Sequence, residues 1–140
     1  MTLPYRPGQF VWCRFPQNEW PDKPGPKLRI GYLATVRQIG QGLAVAVLYT
    51  TTRPFAGPLP LGVVPIAGRA AEALSQRPFW IDARCIAYLP VTVEFFPRID
   101  RANHGVQGVA PIGLQRNILA AATEVFRRPE LLDVRGPGRR

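Results

Sequence analysis

LRIGYLATVRQIGQGLAVAVLYTTT, from Leu28 to Thr52, is the stretch that decides the fold. Leu28 to Gln38 reads as one strand. Gly40 and Gly42 flank Gln41 as a hairpin turn signal, and Leu43 to Tyr49 reads as the returning strand. The unbroken apolar character of Leu43 to Tyr49 predicts burial on both faces. Arg29 opens the first apolar run, and Thr50, Thr51 and Thr52 close the second. That order brings a fixed cation and hydroxyls together on one small β-barrel, a combination able to hold a phosphodiester.

Outward from the hairpin, Gln9 to Phe15 alternates as a strand should. Phe10, Trp12 and Arg14 fall on one side, and Val11, Cys13 and Phe15 on the other. Pro16 stops it, and residues 16–27 form a loop stiffened by four prolines. A connection of that length is often functional. Thr50 to Pro60 is irregular, Leu61 to Ile66 suits a short strand, and Arg69 to Gln76 suits a short helix. Phe79 to Asp82 and Arg84 to Val93 read as two strand segments, with Pro90 at an edge or bulge. Asp100 to Gly108 is turn-rich. Leu114 to Phe126 is the strongest helix, with Leu114, Ile118, Ala121, Ala122 and Val125 on one stripe and Pro129 past its end. The expected fold is α+β and mainly β: a small, bent antiparallel sheet or barrel closed by the C-terminal helix. Residues 1–134 form one domain, and residues 135–140 are expected to be a disordered basic tail.

The bulk numbers agree with one globular domain. The chain has 140 residues, 46% of them hydrophobic, enough for its own core. Its 16 prolines and 13 glycines favour short strands and turns over a helical bundle. The net charge is +9, and Lys23 and Lys27 are the only lysines, so arginine carries the charge. Arginine forks onto phosphate and stacks on bases, which suits nucleic acid; an acidic protein partner suits it too. No apolar run reaches the roughly 18 residues a membrane span needs. Nor does the N-terminus show a signal core, so a cytoplasmic protein is expected. Cys13 and Cys85 lack metal-ligand spacing and are expected to be free and buried. With one histidine in the chain, neither a structural metal nor a cofactor is expected.

Three segments carry a family resemblance. Tyr5-Arg-Pro-Gly-Gln-Phe-Val-Trp-Cys-Arg-Phe-Pro16, Arg29-Ile-Gly-Tyr-Leu-Ala-Thr-Val36 and Leu43 to Thr52 resemble the first three strands of the MazF/PemK (Kid) toxins of type II toxin–antitoxin systems. The Arg84-Cys85 strand and the C-terminal helix follow in the same order. The resemblance implies an SH3-like barrel, a homodimer, and metal-independent cleavage of single-stranded RNA at short sequences. It also implies inhibition by an acidic antitoxin. It maps the family arginine to Arg29 and the family hydroxyl to Thr51, with Thr50 as the neighbouring possibility. Two departures stand out. Ile30 replaces the family proline, and Ile86 follows Arg84-Cys85 where Kid-like members carry a catalytic aspartate. The alternative is a non-catalytic SH3-like module that binds RNA or an acidic protein.

The candidate catalytic residues are therefore Arg29, Thr51 and Arg84, the last as a second phosphate cation. Glu19, Trp20, Lys27, Thr50 and Arg53 are the candidate RNA-binding residues. A tryptophan in the proline loop can stack on a base or pack as a loop anchor. Glu19 and Asp22 can read a base edge or pair with Arg29. Asp82 is the nearest substitute acid. His104, in Asn103-His104-Gly105, reads as a solvated turn residue despite its useful pKa range.

Overall fold

The computed structural model describes residues 4–139. Its strands are β1 (Gln9–Cys13), β2 (Arg29–Ile39), β3 (Gly42–Thr51), β4 (Val63–Ile66), β5 (Phe79–Pro90), β6 (Val106–Val109) and β7 (Asp133–Arg135). The helices are α1 (Arg69–Ala73) and α2 (Ile112–Phe126), with short 3-10 turns at Pro129–Leu131 and Pro137–Arg139. Hydrogen bonding orders one sheet as β4-β5-β3-β2-β1-β6, all antiparallel, and β7 lies parallel to β5. The fold is thus α+β and mainly antiparallel sheet. Among the described residues no pairing joins β4 to β6, so the hydrogen-bonded path does not close into a barrel. No helix is long and apolar enough to cross a membrane among those residues.

Burial on both faces explains why β3 sits in the middle. Val45 and Val47 face a core with Val11, Cys13, Leu33, Ala87, Leu89 and Phe96. Ala46 and Leu48 face another with Phe10, Tyr32, Ile81, Ile86 and Ile118. Both helices cover the second core. In α2, Ile118, Ala122 and Val125 are buried, while Leu114 and Ala121 are half-buried. The helix stripe read from the sequence is therefore the packed face.

The register shifts decide where the site lies. Leu48 pairs with Ile86 but Tyr49 pairs with Asp82, so residues 83–85 bulge out of the β3–β5 ladder. A bulge bends its strand and re-aims side chains. Here it divides β5 into a first half that pairs with β4 and a second half that pairs with β7. The two segments read around residue 83 are one strand with this bulge.

Two elements lie where the sequence predicts none. β6 falls at the end of the turn-rich stretch and pairs with β1; Gly105 and Gly108 hide so short a strand. The tail from 135 is a second correction. Arg135 ends β7, and its Nη1 donates to the Pro16 carbonyl at 2.8 Å. The Gly136 N–H donates to the Pro21 carbonyl at 2.6 Å, and Arg139 pairs with Asp22 at 3.4 Å. Gly136 has φ 97°, and a Cβ there would lie 2.2 Å from the Tyr88 carbonyl oxygen. Glycine and arginine, read as marks of disorder, are here the residues that let the tail dock. Residue 140 lies outside the described residues.

Candidate functional site

A cleft of about 910 Å³ opens between the start of β2 and the end of β3 with its following loop. Lys27 and Arg29 line one wall, and Thr50, Thr51 and Arg53 the other. Trp12, Phe55 and Phe79 supply aromatic surface, and Asp82 is the one acid in its lining among the described residues. Antiparallel pairing explains the grouping, since β2 enters the sheet where β3 leaves it. Five of the eight residues singled out from sequence therefore share one cavity.

Arg29 is half-buried and held rather than free to swing. Its Nη1 donates to the Tyr49 phenolic oxygen at 2.8 Å and to the Thr50 carbonyl at 3.4 Å. Its Cζ lies 5.1 Å from the Tyr49 ring centroid. Among the described residues no carboxylate forms an ion pair with it. The guanidinium keeps its charge and several N–H groups for a ligand. Such a fixed, unneutralised fork binds a phosphate well.

The threonines differ in role. Thr50 is buried, and its hydroxyl donates to the Ile30 carbonyl, tying β3 to β2. That bond spends the proton an RNA contact would use, so the structure places Thr50 as a strand tie. Replacing Thr50 with valine is expected to cost about 1–3 kcal/mol, because the Ile30 carbonyl loses its donor. Denaturant unfolding checks this. Thr51 is half-exposed, and its Oγ1 accepts the Arg53 N–H at 3.1 Å. Its own proton forms no hydrogen bond among the described residues, which leaves it to donate to a phosphate oxygen.

Arg84 does not line the cleft. Its Nε and Nη2 fork onto Asp82 at 2.9 and 2.8 Å, and its backbone N–H adds a third bond at 3.1 Å. The two side chains sit on one face, two residues apart, beside the bulge. The charge expected to serve as a second phosphate cation is spent on Asp82. That hydrogen bond holds the Arg84 guanidinium above its ordinary pKa.

Glu19 and Trp20 are also outside the cleft lining. Trp20 is 61% exposed with Lys23 Nζ 5.5 Å from its ring centroid, so it is not a packed loop anchor. The proline loop meets the docked tail at Pro16 and Pro21 and reaches the cleft at Lys27. His104 is an exposed turn residue with φ 56°, its Nδ1 2.7 Å from the Ile99 carbonyl oxygen. Sequence reasoning passed over Tyr49 as a site residue, although it immediately precedes the threonine run. Its strand periodicity masked it.

Neither thiol is available for chemistry. Burial pushes Cys13 and Cys85 up to about 12 from an ordinary 9.0. Both are therefore neutral at physiological pH and should resist alkylation until the chain unfolds. Because the folded thiols hold their protons more tightly than unfolded ones, they add stability below about pH 9. That contribution declines as pH rises toward about 12. Tyr5 and Tyr32, also raised by burial, act in the same direction. The unfolding midpoint should fall across this alkaline window, and a flat profile would contradict the burial of these groups.

No protein-family model matches the chain, and searches of curated proteins and of solved structures give no significant match. The geometry of the cleft, not kinship, must carry the functional reading.

Proposed function

We propose that the chain is an endoribonuclease that cuts single-stranded RNA in this cleft without a metal, as a MazF/PemK-type toxin does. The proposal includes an SH3-like barrel architecture, a homodimer, an acidic antitoxin as inhibitor, and action in the cytoplasm. The observation that carries it is Arg29: a guanidinium fixed by Tyr49, ion-paired with no carboxylate among the described residues, in a cleft with Lys27, Arg53 and the Thr51 hydroxyl.

In this reading the ribose 2′-OH attacks the adjacent phosphorus and the bond to the 5′-oxygen breaks. The products are a 2′,3′-cyclic phosphate and a 5′-hydroxyl end, the leaving 5′-oxygen taking its proton from solvent. The phosphorane between them carries more negative charge than the ground state, and Arg29 and Thr51 answer that charge. Asp82 is the acceptor for the 2′ proton. Its two oxygens already accept three hydrogen bonds from Arg84, so electrostatics and positioning carry most of the rate.

That same saturation of Asp82 favours a second reading, a module that binds RNA or an acidic protein and does not cut. Purified protein incubated with a long single-stranded RNA in a chelator separates the two. Discrete fragments support the nuclease. RNA bound but intact supports the module, and RNA neither bound nor cut removes the nucleic-acid reading. The affinity should depend on salt in either RNA reading. Three phosphate contacts, from Lys27, Arg29 and Arg53, give a slope of log K against log salt of about −2 on a single strand. A slope near zero would rule out these contacts.

A further inference from the structure

Four side chains from distant parts of the chain form one column. The Arg135 guanidinium carbon lies 5.8 Å from the Phe15 ring centroid. Phe15 and Tyr49 have centroids 5.2 Å apart with planes tilted by 56°. Arg29 lies 5.1 Å from the Tyr49 centroid and donates to its phenolic oxygen at 2.8 Å. The column runs from the C-terminal strap to the cleft.

Its far end is anchored twice. Arg135 grips Asp133 at 2.7 Å and the Pro16 carbonyl at 2.8 Å, and its side chain is only 15% exposed. It is therefore not a surface cation waiting for phosphate. Gly136 then pins the strap to Pro21, in the loop that directly follows Phe15. A free arginine must lose rotamer freedom when it meets the transition state, and a held one has lost it already.

We propose that Tyr49 is a positioning residue for Arg29, and that the strap of residues 133–139 holds Tyr49 in place through Arg135 and Phe15. The strap then governs RNA cleavage without touching RNA. This role rests on Arg29 acting on the scissile phosphate as proposed above.

The test compares wild type, Tyr49→Phe and Arg135→Lys. The first removes the phenolic acceptor and keeps the ring. The second keeps a charge near Asp133 and loses the planar fork. Two measurements are made on each folded protein: the nitrogen resonances of the Arg29 side chain, and single-turnover cleavage of RNA beside its affinity. Wild type should show slowed rotation of the Arg29 guanidinium, and both variants should show faster rotation. The cleavage rate at saturating RNA should fall by about 10–100-fold in Tyr49→Phe, with a smaller change in affinity, since misplacement by a fraction of an ångström acts on the rate. Arg135→Lys should fall in the same direction by less.

Variants that cut at the wild-type rate, or that lose rate only in proportion to affinity, overturn the positioning role. A wild type that binds or cuts no RNA overturns the catalytic reading instead. The Arg29 resonances still judge the column in that case, and equal rotation in all three proteins overturns it.

Discussion

Replacing Arg29 with alanine is expected to lower kcat/KM for RNA cleavage by about 10²–10³, the usual loss for one fixed transition-state donor. Lys27 and Arg53 remain in the cleft, so ground-state RNA affinity should fall far less. The fold should survive, because Arg29 is half-buried and forms no ion pair among the described residues. Lysine at this position keeps the charge but not the fork, so it should restore only part of the rate. Single-turnover cleavage, read beside the unfolding midpoint, measures this. An alanine variant that cuts as fast as wild type would take Arg29 out of the mechanism.

Replacing Gly62 with alanine should destabilise the fold by about 2–5 kcal/mol. Gly62 has φ 88°, and its carbonyl accepts the Ala83 N–H at 2.9 Å across the bulged part of β5. A left-handed backbone costs an L-residue about 1–2 kcal/mol. An added Cβ would also lie 2.4 Å from Val125 Cγ2 and 3.4 Å from Arg84 Cγ. Val125 is fully buried on α2, so its side chain or the helix must give way, and overpacking adds about 1–3 kcal/mol. Because the shift presses on Arg84, the position of Asp82 should change as well. Equilibrium denaturation gives the loss. A variant as stable as wild type would mean that α2 does not seat against Gly62 as described.

Much of this was readable from residue order. The two apolar runs of Leu28 to Tyr49, split by Gly40 and Gly42, mark two paired strands, and antiparallel pairing then brings Arg29 to the threonine run. The α2 stripe is equally plain, because Ile118, Ala122 and Val125 recur at helical spacing. What the sequence hides depends on side chains that meet across long separations. The Tyr49 phenol matters because of Arg29, twenty residues away, and Arg135 because of Pro16 and Phe15. Local composition marks residues 135–139 as loose, yet glycine there permits close docking. The bulge at residues 83–85 is similarly silent, since no single residue announces it; it turns Arg84 onto Asp82 and away from an independent role on phosphate. That the strand path stays open between β4 and β6 among the described residues also depends on which edges meet, and no periodicity reports that.

The most direct test of a scissile phosphate at Arg29 uses two RNA oligomers that differ at one atom. One carries ribose throughout. The other carries a single 2′-deoxyribose at the cut position mapped on the first. The all-ribose strand should be cut in the presence of a chelator, leaving a 2′,3′-cyclic phosphate and a 5′-hydroxyl. The substituted strand should bind equally well and stay whole at that position. Cleavage of both strands, or of neither by folded protein, would contradict a nuclease that works by 2′-OH attack in this cleft.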